Sequence, residues 1–560
     1  MATLFTKLDS FSLQLQSDQK KRHVFFVICA LLITTLYGYY FGTFDQASHI
    51  PFLKKTLDPS LFPNDRFFEL RNTHYSFFWL LLAPFLHLNL LEIVMFFVHI
   101  VSIYATIWGV WSLSKLLFND SLVALGSVVA LIFPHIGFSG FPLFEFSMLN
   151  RTVVLPLELF ALTLYLRKYK LTPFILLGAL YNFHALSVHF FAGMLFFDIL
   201  VRIKKVGIGL FLRSLFVFVL FASPVLFWKF GHSGISLLPQ YEWFDILNRA
   251  VFSHLFNVYS QHNRVVAFLT LSGMSSIVLF FIVAKKYVSE RHVTVRNWFV
   301  AGIIACVVQY VATYIYPVPI LIQMQILRIG VIMVVFLYLY LVAHIVKSVR
   351  ENHIPPGHFI FLFISIILSF SPLVFLFTWG LYTLRPTLIQ LSTMIAIVLY
   401  SIVLLSMTHY KLWMPGFYIF PQKTPFVEVQ LWAKKNTSKD AIFITPPEIW
   451  WMYETEWRVL SERSSVVTWS ELLEAAFDPS YITYWKPRFE DVAPGALARF
   501  RGNFFENRQI IRNAYYAHSA DQFETLGKKY KATYLVSETQ YIFPFAQVFS
   551  NGVFTVYKLP

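Results

Sequence analysis

Residues 326–346 read ILRIGVIMVVFLYLYLVAHIV, and only Arg328 and His344 interrupt the apolar run. A helix needs roughly 20 such residues to cross the hydrocarbon core of a bilayer. Just before the run stand Gln323, Met324 and Gln325, preceded by Pro317 and Pro319; just after it stand Lys347 and Arg350. Polar residues at one end and a basic cluster at the other mark a membrane-spanning helix of defined orientation. The same pattern recurs at about 24–43, 90–116, 121–137, 151–166, 208–228, 265–284, 297–316, 357–379 and 387–408.

Composition agrees. Of 560 residues, 57% are hydrophobic and 13% charged, against roughly 25% charged in a soluble globular chain. This excludes a disordered chain, a collagen-like fibre and an ordinary cytosolic enzyme. The expected fold is a polytopic α-helical membrane protein of about 11–13 membrane segments, closed by a small C-terminal α/β domain. The net charge of +15 sits mostly in short loops between apolar runs, where it sets topology and does not signal nucleic acid. Cys29 and Cys306 both lie in apolar runs, so no disulfide framework or thiolate metal site follows.

The organisation reads as a cytoplasmic segment at 1–22, a polytopic domain at 23–410, a linker at 411–423 and a soluble domain at 424–560. The basic clusters Lys20–Arg22, Arg167–Lys170, Arg202–Lys205, Lys285–Arg296 and Lys347–Arg350 belong on the cytoplasmic side. The loops 44–72, 138–150, 229–263 and 317–325 then face outside. The stretch 172–201 is flanked by basic clusters at both ends, so it crosses twice or dips in and returns, with a break near His184. A strict count gives about twelve crossings and a cytoplasmic C-terminus; a re-entrant late segment puts the C-terminal domain outside. In that domain, Asn436–Asp440 reads as a turn before a short strand, Ala532–Val536 as a strand after a helix, and Asn551-Gly552 as a turn into a last strand.

Candidate site residues cluster at the outer ends of the spans. Asp45 stands just past the first one, where a carboxylate can take a proton from a hydroxyl or hold a divalent cation. His49, Asp58 and Asp65 share its loop, and Asp58-Pro59 and Asn64-Asp65 also suit helix caps. Glu145 and Arg151 flank the start of another span. Arg328 can clamp a phosphate and Gln325 can orient its oxygens, or Arg328 can snorkel to headgroups. His184 and His189 are too far apart for a helical zinc pair, although a cavity histidine can bind an anion or relay a proton. Loop 229–263 mixes Tyr241 and Trp243 with His232, Arg249, His254 and His262, as an interfacial belt or a sugar site does. In the tail, Arg458–Arg463 suits an anion or a charged strand edge. Glu92, Glu158 and Asp198 are the main acids inside spans. No Walker A loop, dinucleotide fingerprint or nucleophile elbow is present.

Asp45 directly after the first span, the run from Asp45 through Leu57-Asp58-Pro59 to Asp65, and Thr437, Asp440–Pro447 and Ser461–Arg463 together resemble the GT-C superfamily of integral-membrane glycosyltransferases. The likeness is to bacterial members that carry a C-terminal globular domain. It covers the whole chain as architecture. It implies a sugar donor on a polyprenyl phosphate, a glycan, lipid or protein acceptor, inverting transfer on the outer face, and a bacterial inner or cell membrane as the setting. By position, Asp45 is the general base and Arg328 the lipid-phosphate clamp; the substrate-binding set is His49, Asp58, Asp65, Glu145, Arg151, His184, Gln325 and Arg328. A divalent cation is the one cofactor candidate. The family also places the C-terminal domain outside. The competing readings are a lipid or polysaccharide transporter, with polar groups at mid-membrane depth, and a non-catalytic scaffold.

Overall fold

A computed structural model of the chain describes residues 2–137, 140–232, 240–250, 263–448, 454–502 and 504–560. Among them, seven helices are long and apolar enough to cross a membrane: Leu91–Phe118, Thr172–Val201, Ile208–His232, Ala267–Ala284, Glu290–Thr313, Pro319–Arg350 and Pro386–His409. Four shorter apolar helices, Phe78–His87, Ser121–Leu131, Pro356–Ile367 and Pro372–Leu384, complete the apolar set. Gln19–Tyr37, capped by the Asp18 side chain, and Asn150–Leu166 run beside them. The chain is thus a polytopic α-helical protein with a small C-terminal sheet domain. In its most apolar stretch Pro319–Arg350 is 94% buried and Ile208–His232 only 17%, so the first is the hub of the bundle and the second its rim.

Ion pairs collect the basic clusters on one face. Lys168 and Lys205 both bind Glu290, Arg350 binds Asp9, and Lys115 donates to Gln16. The two ends of Thr172–Val201 therefore lie together. The Phe174 and Phe196 rings stand 4.9 Å apart, whereas 22 residues of straight helix would separate them by about 33 Å. The reversal is at His184, whose φ −151°, ψ 84° is not helical. The break frees backbone groups, which cannot go unpaired at this depth. Phe183 O accepts from Ser76 Oγ at 2.6 Å and Asn150 Nδ2 at 3.1 Å, and Asn182 O accepts from Phe77 N at 2.9 Å.

A second reversal supplies a re-entrant late segment. The apolar stretch 357–379 reads as one span in sequence, yet it forms the antiparallel helices Pro356–Ile367 and Pro372–Leu384. His358 Nδ1 lies 3.3 Å from Tyr382 Oη, and the turn at Ser369–Ser371 meets His135 and Ser272 deep in the bundle. The stretch returns to the face it left. Its extra pass changes the parity, and the C-terminal domain ends on the same face as the first loop, opposite the basic clusters.

Strand β1 (Tyr39–Tyr40) pairs in parallel with β2 (Phe417–Tyr418), so the linker is tied to the end of the first helix. The Trp413 indole also donates to Leu36 O. The C-terminal sheet comprises β3 (Ile442–Ile444), β4 (Ser464–Ser465), β5 (Tyr534–Glu538), β6 (Ala546–Ser550) and β7 (Phe554–Lys558), in the order β4-β3-β5-β7-β6. Strand β3 is parallel to β4 and β5; β7 is antiparallel to β5 and β6. The helix before β5, Ala520–Tyr530, starts in a Ser519–Gln522 capping box.

The domain docks onto the first loop through charges. Arg458, 1% exposed, donates to Asp65 Oδ2 at 2.9 Å and to Glu471 Oε1 at 2.8 Å, and lies over the Phe67 ring. Lys54 binds Glu462 and Lys439 binds Asp58, each at 2.7 Å. Removing one partner of a buried ion pair leaves the others unpaired, at a cost of about 3–5 kcal/mol. Arg458→Ala should lower thermal stability on that scale, while Lys439→Ala, at an exposed pair, should leave it nearly unchanged. Thermal denaturation of the purified protein in detergent reads both, and equal small shifts would contradict the docking role of Arg458.

Candidate functional site

A cavity of about 880 Å³ opens where the first loop, the ends of the membrane helices and the C-terminal domain meet. Asp45, His49, Arg151, His184, Gln325 and Arg328 all line it. Six of the nine residues singled out in the sequence thus share one wall, although up to 283 positions separate them. The other three do not reach it. Glu145 sits behind Arg151, while Asp58 and Asp65 face Lys439 and Arg458 in the docking contact. Of the loop 229–263, Lys229, Phe230, His232 and Gln240 reach the lining; His254 and His262 lie outside the described residues.

Asp45 immediately precedes the helix Gln46–Leu57, and Phe44 before it takes a left-handed φ of 53°. Arg151, at the start of Asn150–Leu166, bridges two carboxylates: Nη1 binds Asp45 Oδ2, and Nε binds Glu145 Oε1 at 2.7 Å. This pairing holds the Asp45 carboxylate at the cavity wall. Arg328 lies with its guanidinium 4.3 Å from the Phe141 ring, and its buried Nε has no hydrogen-bond partner. Gln325, also buried, adopts φ 47°, ψ 46°, a left-handed conformation that costs a non-glycine residue roughly 1–2 kcal/mol. Its Oε1 too lacks a partner. Both atoms are sealed from solvent beside the cavity wall, so a polar ligand would complete them only after a local shift of these side chains.

The roof comes from the C-terminal domain. Glu474 pairs with His74, just past the first loop, and Phe477, Asp478, Ser480 and Thr483 continue the lining. Sequence reading missed this segment, and missed His74, Lys229 and Tyr181, because nothing in their spacing relates them to Asp45. His49 stacks on Trp79 at 4.6 Å. Burial, with His74 beside it, pushes the His49 imidazole down to about 3, against the smaller pull of Glu474 and Asp45. Burial pushes the Glu474 carboxyl up, but His74, His49 and Ser48 more than offset this and hold it below its ordinary value.

A divalent cation needs several oxygen ligands. Among the described residues no three His, Cys, Asp or Glu side chains converge. Asp45 and Glu145 are instead joined by the Arg151 guanidinium, which occupies the place between them. The residues present do not fit a metal ion.

Residues 424–492 match a family described as a domain of unknown function, DUF6798. No curated protein matches the chain. One similar solved structure is the archaeal oligosaccharyltransferase AglB from Archaeoglobus fulgidus in complex with an inhibitory peptide and a dolichol-phosphate. It has a TM-score of 0.45 and 12% identity, over 93% of this chain and 70% of that one. Another is the oligosaccharyltransferase of the same organism tethered to an acceptor peptide containing the NVT sequon, at TM-score 0.43 and 13% identity, over 93% and 69%. At TM-scores below 0.5 these likenesses decide nothing about activity.

The His49 environment sets a pH dependence. The unfolded chain takes up the imidazole proton near 6.5 and the folded one only near 3. Between these values the unfolded state binds more protons, so stability is lost as pH falls below about 6.5. Glu474, lowered in the folded state, adds a loss at still lower pH. His49→Phe, which can keep the stack on Trp79, should lessen the loss between pH 7 and 5 without abolishing it; an unchanged melting profile from pH 7 to 5 in wild type would contradict it.

Proposed function

We propose that the chain is an integral-membrane glycosyltransferase that moves a sugar from a polyprenyl-phosphate donor to an acceptor hydroxyl. The observation that carries this reading is the one cavity lined both by the Asp45–Arg151 pair and by Arg328, whose Nε has no partner, at the end of a membrane helix. A lipid phosphate reaches such a place from the membrane side, and a polar acceptor from the aqueous side. The basic clusters on the opposite face support an outward-facing cavity and C-terminal domain.

In this reading Arg328 binds the phosphate of the donor, and Gln325 orients an oxygen beside it. The acceptor oxygen attacks the anomeric carbon, the bond from that carbon to the phosphate oxygen breaks, and the polyprenyl phosphate departs with the electron pair. Arg328 stabilises the charge that develops on it. The acceptor proton passes to Asp45. Arg151 and Glu145 position that carboxylate. The polar lining gathers at one end of the helices, which favours a transferase over a transporter with groups at mid-depth. Asp58 and Asp65 act in this account through docking and not on the substrate.

Membranes supplied with polyprenyl-phosphate sugars test the proposal. Asp45→Asn should lower transfer by roughly 10²–10⁴-fold at normal expression, and Arg328→Gln should raise the donor KM. Transfer that is unaltered in both variants would refute the assigned roles.

A further inference from the structure

Glu158 is fully buried in the middle of Asn150–Leu166, and the transfer chemistry does not use it. Its Oε1 is hydrogen-bonded to Ser187 Oγ, while Oε2 has no partner. Ser187 Oγ in turn lies 2.7 Å from His184 Nδ1, and the backbone N–H of Ser187 donates to the same Nδ1 at 3.2 Å. His184 stands at the helix break with extended backbone angles. It therefore acts as the N-cap of the second half of the helix, its ring nitrogen taking the place of the usual capping oxygen three residues before the N–H it accepts.

The backbone N–H contact orders the protons, with the one lone pair of Nδ1 shared between two donors. A backbone N–H can only donate, so Nδ1 must present its lone pair, and the proton of the neutral ring sits on Nε2. Nδ1 then has nothing to give Ser187 Oγ, so the short contact requires the Ser187 hydroxyl to donate to Nδ1. That hydroxyl has a single proton, so its bond with Glu158 must be donated by Glu158. A carboxyl group with one oxygen unsatisfied in an apolar interior is also far cheaper to keep protonated than ionised.

We propose that Glu158, Ser187 and His184 form a proton-ordered chain that fixes His184 as a neutral Nε2–H donor lining the cavity. Glu158 is a positioning residue; its protonated carboxyl holds the Ser187 hydroxyl toward His184. His184 then cannot take a proton on Nδ1 and adds no charge beside Arg151 and Arg328. On the reading that the cavity takes a phosphate-linked sugar, its role is to donate to a ligand oxygen, of the phosphate or of a sugar hydroxyl.

Magic-angle-spinning 15N spectra of the full-length, histidine-labelled protein in lipid nanodiscs test this without any activity. His184→Asn, which keeps a capping acceptor, assigns the His184 signals by difference; should that variant not fold, the displacement of the Nδ1 signal in Ser187→Ala assigns them instead. At pH 7 the wild type should show a neutral ring protonated on Nε2. Glu158→Gln, whose amide donates as the protonated carboxyl does, should show the same. A proton on Nδ1, a doubly protonated ring, or a tautomer switch in Glu158→Gln would overturn the proposal. Titration with undecaprenyl phosphate reads the ligand class separately. A displaced Nε2 signal supports it, and an unmoved signal with the tautomer intact overturns the ligand assignment while leaving the proton chain standing.

Discussion

One buried guanidinium holds the two halves of the molecule in register. Arg458 belongs to the C-terminal domain, yet it is neutralised from both sides, by Asp65 of the first loop and by Glu471 of its own domain, with Thr468 on a third nitrogen. Taking three charges out of water is costly, and the mutual attraction offsets that cost only in one geometry. The contact is therefore better at specifying a docking position than at adding stability. Its consequences spread into the site. Glu471 also accepts from Tyr481 Oη, at 2.8 Å, and from Thr468 N. These bonds anchor both ends of the segment whose Leu473, Glu474, Phe477 and Asp478 roof the cavity. Without the pair, Asp45 would face open solvent.

The membrane half solves a different problem. A polar cavity at the end of a helical bundle needs backbone that turns back before leaving the bundle, and each such turn exposes peptide groups that must be satisfied. At His184 the loop residues Ser76 and Phe77 and the side chain of Asn150 receive or supply the freed hydrogen bonds, and His184 caps the returning helix. At Ser369–Ser371 the carbonyl of Ser369 accepts from Tyr338 Oη at 3.0 Å and lies 2.7 Å from His135 Nδ1. The first turn carries cavity residues. The second supplies the odd pass that brings the C-terminal domain to the face where the first loop waits.

Much of this was legible in the sequence, for physical reasons that vary by element. The apolar runs and their basic flanks announce the bundle because the bilayer imposes length and charge asymmetry on every span. Asp45, Arg151, His184, Gln325 and Arg328 stand out because a polar side chain at the end of an apolar run is costly to keep. Asp58 and Asp65 carry the same local signature, and nothing local tells an acid that meets substrate from one that meets Lys439 or Arg458. The reversal inside 357–379 is marked in the chain, although the pattern alone leaves the re-entrant segment unplaced. Ser371 caps a helix that has Pro372 in its first turn, the ordinary signature of a helix start, but a 23-residue apolar run suggested a single crossing. The roof segment was not legible at all, since its meeting with the first loop depends on a tertiary ion pair between positions 393 residues apart.

The central claim is that a polyprenyl phosphate occupies the junction cavity. Photo-crosslinking tests it most directly. A polyprenyl phosphate carrying a diazirine on the first isoprene unit would be irradiated with the protein in nanodiscs and the labelled peptides mapped. The account predicts label concentrated in the segments 181–189 and 319–328, competed away by unmodified lipid phosphate and reduced by Arg328→Gln. Label spread over the lipid-facing residues of Pro386–His409, without competition, would contradict it.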